Sequence, residues 1–184
     1  MELIQPWNTS IFKGNVAHMC NVDAIAAEIL TLHSLSPQES LTPYKVNAEE
    51  FPALCDFRDR VVTNLVQSYV KQTMGFDLTQ FTVDTFGKWF AKGTDLAPHV
   101  HGSTGFTTIF YPDDYESGMM IFDPRANASR GYPRKIRDGH FAPYTVFPKK
   151  GDLYILPSFL QHYVPTVTDD MRLSLINDFM FPTV

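Results

Sequence analysis

Six histidines occur in the 184-residue chain, and three are spaced for chemistry. His99 and His101 stand two apart in Pro98-His99-Val100-His101-Gly102. On an extended strand such residues project to the same side, so two imidazoles would share a face and could chelate a metal. Pro98 and Gly102 would mark the ends of that short strand. A third ligand from a facing strand completes such a site, and His162 in Leu160-Gln161-His162-Tyr163-Val164-Pro165 is the natural one. The competing reading of a His-x-His is a pair of surface side chains on a loop. His140, between Gly139 and Phe141, is expected in solvent, and His18 and His33 carry no ligand spacing.

Ten residues past His162, Met171-Arg172-Leu173-Ser174 places Arg172 and Ser174 on one strand face. The planar fork of a guanidinium fits a carboxylate, and a neighbouring hydroxyl adds a hydrogen bond. Taken alone, Arg172 reads as a surface strand arginine. Tyr111 follows the strand after His101, where it either donates to a bound ligand or fills the core. Lys88 shares a face with Phe86 and Phe90, so it either approaches a cavity or sits on an edge strand. Asp123-Pro124-Arg125 either borders an entrance or forms a turn.

Positioning these groups requires a sheet scaffold, and the second half of the chain is patterned for one. Runs rich in Phe, Tyr, Thr, Val and Ile are separated by Gly, Pro and Asp: 81–90, 99–101, 106–111, 119–122, 144–147, 153–156, 162–164 and 173–181. Short strands at this spacing predict a double-sheet all-β core. The first half is helical in pattern. Ile25, Ile29 and Leu30 form one stripe, with Asn21 or Asp23 able to cap its start and Pro37 closing the region. A longer helix is predicted from about Ala48 to Met74, ended by Gly75. Phe57, Val61, Leu65 and Tyr69 recur in it every four residues. The expected fold class is α+β, a jelly roll (double-stranded β-helix) with N-terminal supporting helices. Residues 1–184 form one domain in this reading, 1–80 mainly helical support and 81–184 the core. The segment Arg125 to Ala142 reads as a loop serving as a lid or substrate-recognition element.

Composition narrows the classes. A net charge of −5 and a pI near 5.6 argue against a dedicated nucleic-acid surface. No run of about 18 apolar residues exists to span a membrane, and the N-terminus lacks the pattern of a signal peptide. Cys20 and Cys55 read as buried thiols in a reducing cytosol, so a cytoplasmic location is expected, that of a host cell if a phage encodes the chain. An edge strand could support a homodimer.

Beyond these local readings, the stretch Phe86 to Phe179 resembles the iron- and 2-oxoglutarate-dependent oxygenases, most closely a set of small members from bacteria and phages. The resemblance is carried by an ordered set. It runs from Phe86 to Phe90 and Gly93, then Pro98-His99-Val100-His101-Gly102-Ser103, Phe110-Tyr111-Pro112, Ser117-Gly118 and Phe122-Asp123-Pro124-Arg125. Lys150-Gly151-Asp152-Leu153, Pro157-Ser158, His162 and Arg172-Leu173-Ser174 complete it. It implies Fe(II) held by His99, His101 and His162, and 2-oxoglutarate held at its distal carboxylate by Arg172 and Ser174, with Tyr111 as a further donor. The implied reaction couples decarboxylation of 2-oxoglutarate to succinate with hydroxylation by O2 of an unidentified substrate, a prolyl or other peptidyl residue among the candidates.

One departure stands out. Most of the superfamily carries Asp or Glu two residues after the first histidine, where this chain has His101. Three neutral imidazoles would leave the site one unit more positive. Two alternatives stay open: only one of His99 and His101 ligates, or a carboxylate such as Asp113 or Asp123 supplies the anion. Two further classes compete with the oxygenase reading. One is a cupin-like metal-binding protein without 2-oxoglutarate chemistry, which has no need of a carboxylate clamp. The other is a β-sandwich interaction domain, which has no use for three inward histidines.

Overall fold

The structure, a computed structural model, describes residues 9–35, 46–102, 104–125 and 129–182. Pro37 lies outside them, as does Ser103 of the histidine motif. Helix α1 spans Val22–Leu35. Asn21 caps it, its Oδ1 accepting from the Ala24 amide at 3.1 Å. The second helical run begins at Pro52, four residues later than the pattern suggested. Proline suits a first helical position, where its missing N–H is no loss, and the preceding turn is held instead by the Asn47 side chain, which accepts from the amides of Glu49 and Glu50. This run is α2 (Pro52–Asp56), a π-helical stretch Phe57–Val62, and α3 (Thr63–Met74). It ends at Gly75, whose φ of 77° is the left-handed cap that glycine adopts without a Cβ penalty.

Among the described residues there are nine strands, eight of which overlap the expected runs, β3 meeting the run 99–101 only at His99, and one of which is an addition. They are β1 (Phe12–Asn15), β2 (Thr82–Ala91), β3 (Leu96–His99), β4 (Phe106–Phe110), β5 (Met119–Ile121), β6 (Tyr144–Val146), β7 (Asp152–Pro157), β8 (His162–Val164) and β9 (Met171–Met180). Strand β1 escaped the sequence reading because four residues on a sheet edge carry almost no alternation to detect. The strands form a five-stranded sheet ordered β1-β7-β4-β9-β2 and a four-stranded sheet ordered β3-β8-β5-β6, all neighbours antiparallel.

The period of two in β4 and β9 sorts their side chains into two layers. Phe106, Phe110, Leu175 and Phe179 join the core with the helices. Phe57 meets Phe110 at 4.6 Å between ring centroids, and Tyr69 meets Phe106 edge-on at 5.5 Å. The opposite face, with Ile109, Tyr111, Arg172, Ser174 and Ile176, lines a pocket shared with the smaller sheet. The helices thus buttress one face of the large sheet and leave the other to the site.

Two expectations are corrected. The segment Arg125 to Ala142 is not simply a loop, since Arg134–His140 forms a short helix, α4, with no buried residue. Of the two cysteines, Cys55 is buried but Cys20 only half so, and both thiols are free. Among the described residues no helix is long and apolar enough to cross a membrane.

Candidate metal centre

His99 closes β3 and His162 opens β8, and the two stand directly opposite in that antiparallel pair. His101 is not on the strand. Strand β3 stops at His99, and His101 enters from the turn beyond it, its amide donating to Ser158 O at 3.1 Å. His99 and His101 thus converge with His162, although His101 lies beyond β3 and the two do not share a strand face. Ring centroids lie 4.5 Å apart for His99 and His162, 5.2 Å for His101 and His162, and 5.4 Å for His99 and His101. One nitrogen from each ring falls within 4.8 Å of the others.

Hydrogen bonding fixes which nitrogen is free. His99 Nδ1 lies 3.0 Å from Ala97 O and His162 Nδ1 lies 2.9 Å from Leu160 O. A carbonyl only accepts, so both rings carry their proton on Nδ1 and present the Nε2 lone pair. His101 Nδ1 is engaged by the Asp178 carboxylate, at 3.0 Å from Oδ2 and 2.9 Å from Oδ1. Three Nε2 donors therefore remain, the neutral imidazole set that suits a divalent first-row metal. Burial keeps two of these rings neutral. It pushes His162 down to about 4 and lowers His99, with nearby positive charge adding to both. The donor set fits a metal ion such as Fe(II).

Arg172 occupies the same pocket and is 1% exposed. Its Nη2 donates to the Tyr111 hydroxyl at 3.0 Å and its Nε to Ser117 O at 3.2 Å. Its guanidinium lies 5.6 Å from the Phe90 ring centroid and 5.0 Å from that of Tyr111. No ion pair joins it to an acid among the described residues. Burial raises the Tyr111 phenol, so its proton stays in place. Ser174 lines the pocket two residues along β9, and Lys88 lies directly across from it on β2. Lys88 proves to be both things the sequence allowed, for β2 is an edge strand and its side chain still reaches the pocket. Burial lowers its pKa. Beside the three histidines, Tyr111 and Ser174, the pocket wall thus carries two cations and no carboxylate, and its other residues are apolar: Phe86, Phe90, Leu96, Ile109, Met119, Val164 and Ile176.

The remaining candidates lie elsewhere. Asp113 is exposed and outside the cluster. Asp123 pairs with Arg125, whose Nε donates to Oδ1 at 2.9 Å. The Arg125 amide also donates to Asp123 Oδ1 at 2.9 Å, the turn that the sequence allowed, and both residues line a wide open groove with Pro124, Tyr144 and Ile121. His140 is exposed on α4, and His33 stacks edge-on against Trp89 at 5.0 Å. Asp178 is the site residue that sequence reasoning missed. Its signal was present, since 178 continues the face of 172, 174 and 176, but an acid near the end of a predicted strand reads as a solvated terminus.

No family model and no curated protein sequence matches the chain. Solved structures do. A prolyl-4-hydroxylase from Pseudomonas putida aligns at a TM-score of 0.61 and 15% identity, over 95% of this chain and 89% of that one. HygX from Streptomyces hygroscopicus, with nickel and 2-oxoglutarate bound, aligns at 0.61 and 16%, over 95% and 83%. A Trichoplax adhaerens prolyl hydroxylase, in complex with a peptide fragment of the hypoxia-inducible factor oxygen degradation domain, aligns at 0.68 and 11%, over 94% and 84%. At 16% identity or less these likenesses concern architecture, and over nearly its whole length this chain has the fold of those prolyl hydroxylases and of HygX.

Proposed function

We propose that this protein is an Fe(II)- and 2-oxoglutarate-dependent dioxygenase, a single domain over 1–184 with helical support in 1–80 and a jelly-roll core in 81–184. The observation that carries the reading is the pairing, in one pocket, of three convergent imidazoles with a buried arginine that forms no ion pair with an acid among the described residues. The strand order supports the jelly roll, because the chain alternates between the two sheets from β2 to β5 and again from β6 to β9. Burying a guanidinium costs several kcal/mol unless an anion offsets it. A cupin-like metal protein without 2-oxoglutarate leaves that cost unexplained.

His99, His101 and His162 would hold the metal, and Arg172, with Tyr111 and Ser174, would hold the distal carboxylate of the cosubstrate. When bound, iron and 2-oxoglutarate supply the oxidising power, with decarboxylation to succinate, that hydroxylates a C–H bond. The chain's own residues do the rest. The Nδ1 bonds of the three rings keep each Nε2 aimed inward, and the Arg172 fork sets the ligand's register. Phe86, Phe90, Ile109 and Ile176 exclude water, which strengthens every charge interaction inside. The groove beside Ile121, Asp123 and Arg125 is a route for a substrate, and the prolyl hydroxylase likeness makes a prolyl or other peptidyl residue the first class to try.

The test is anaerobic addition of Fe(II) and then 2-oxoglutarate, followed by visible absorption for the charge-transfer band of the chelate and by succinate release once oxygen is admitted. Metal binding with neither band nor succinate would sink the 2-oxoglutarate reading in favour of the cupin-like one.

A further inference from the structure

Asp178 lies near the end of β9 on the face that already carries Arg172, Ser174 and Ile176. Its two oxygens stand 2.9 and 3.0 Å from His101 Nδ1, and the side chains of His101 and Asp178 are 11% and 13% exposed. At the other two rings the Nδ1 partner is neutral, for His99 and His162 rest on the backbone carbonyls of Ala97 and Leu160. A metal-bound histidine held through its far nitrogen by a carboxylate gains basicity and a fixed orientation. His101 needs that orientation most, because it comes from a turn instead of a strand.

Stability does not explain this acid. The single His101 N–H is taken by Asp178 Oδ2, so Oδ1, though close to the same nitrogen, has no donor of its own; it and Thr107 Oγ1 are the buried side-chain polar atoms without a hydrogen bond among the described residues. Thr107 and Asp178 are register partners across β4 and β9, so both unpaired atoms belong to one spot behind His101. An unpaired buried oxygen is a cost to folding.

We propose that Asp178 is the positioning residue of the metal centre, a carboxylate moved from direct ligation to the far side of His101. It returns to the site the negative charge that a third-ligand Asp or Glu would carry. With three neutral imidazoles a divalent ion leaves a formal charge of +2; the Asp178 carboxylate brings that to +1, the value for two imidazoles and one directly bound carboxylate. Neither Asp113 nor Asp123 is needed. The inference rests on the metal-site reading above but not on its cosubstrate.

The experiment uses the intact chain and Co(II) as probe, with affinity, the visible ligand-field spectrum and the melting temperature of the metal-free protein read together. Asp178→Asn keeps an oxygen able to accept from His101 but removes the charge; Asp178→Ala removes both. We expect Co(II) affinity to fall about 10-fold for D178N and about 100-fold for D178A, with a changed Co(II) spectrum. The metal-free melting temperature of D178N should not fall, because a poorly satisfied buried charge has been deleted. In the iron-loaded protein the midpoint potential of D178N should move positive. Wild-type affinity and spectrum in both variants would overturn the proposal, as would an affinity loss matched by an equal loss of metal-free stability. Failure of the wild-type chain to bind Co(II) overturns the metal-site reading and this one together. Metal binding that is sensitive to Asp178 without 2-oxoglutarate binding would refute only the cosubstrate assignment.

Discussion

Arg172 donates from Nη2 to the Tyr111 hydroxyl at 3.0 Å, across the gap between β9 and the residue that follows β4. This bond holds a fully buried cation and a phenol whose proton is left for another acceptor. Among the described residues the other partner of that hydroxyl is Met119 Sδ at 3.9 Å, a weak acceptor. The pair is the donor set proposed above for the distal carboxylate of the cosubstrate.

Replacing Arg172 separates stability from binding. Met fills much of the same volume without charge, so Arg172→Met should leave the metal-free fold as stable as wild type or more so. It should weaken 2-oxoglutarate binding about 10- to 100-fold, the loss expected for hydrogen bonds to a charged group at ~1.5–3 kcal/mol. Lysine cannot reproduce the bidentate fork, so Arg172→Lys should recover only part. Calorimetric titration of 2-oxoglutarate into the Co(II)-loaded variants measures this, and unchanged affinity in R172M would remove Arg172 from the site.

Tyr111→Phe removes one hydroxyl and leaves Arg172 Nη2 without its acceptor. The cost to stability should be about 1–2 kcal/mol, with a several-fold loss of 2-oxoglutarate affinity. The two effects come from the two ends of the same hydroxyl, as acceptor from Arg172 and donor to ligand. A variant that loses stability but binds 2-oxoglutarate as wild type does would make Tyr111 a core aromatic only.

The strands were legible because alternation and the Gly, Pro and Asp breaks between runs are local signals, and the long helix because its apolar spacing ends on a glycine. Arg172 and Ser174 were legible for the same reason, as a two-residue period on a strand. What could not be read was anything set by the turn after β3. Val100 is half exposed, and the chain bends there to bring His101 back beside His162, a path decided by the His101 amide bonding to Ser158 O across 57 residues of sequence. Asp178 was hidden for a related reason, since its meaning depends on a ring 77 residues away. The helix α4 was masked by Pro133 and Gly139 at its two ends, which in sequence look like loop composition.

Among the described glycines, Gly151 combines a left-handed backbone with a close neighbour, so its replacement should be costly. It has φ +85°, and a Cβ there would fall 2.5 Å from Ala17 Cβ and 3.0 Å from the Ala17 backbone. That approach seats the N-terminal segment, where the Val16 amide donates to Gly151 O at 2.8 Å. Gly151→Ala should cost about 1–3 kcal/mol from the backbone conformation alone, and each kcal/mol should lower Tm by about 2–4 °C in a chain of this size. Co(II) affinity of the folded protein should stay at the wild-type value. A melting temperature equal to wild type would mean that the turn adapts.

Protonation of the histidines should set the acid limit of the metal-free protein. Burial holds His162 at about 4, below its ordinary 6.5, so between those values the unfolded chain binds a proton that the folded chain refuses. Stability from this residue is therefore complete above about pH 6.5 and drains away as pH falls toward 4, by up to about 3 kcal/mol. His99, lowered in the same direction by burial, adds to the slope. A bound metal competes with the same protons, so Co(II) should shift the acid transition to lower pH. Denaturant titrations at stepped pH, with and without Co(II), read both effects. His162→Asn, which has no proton to gain, should flatten the slope between pH 6.5 and 4 and abolish most of the Co(II) shift. The same slope in that variant would show that the acid limit lies in other groups.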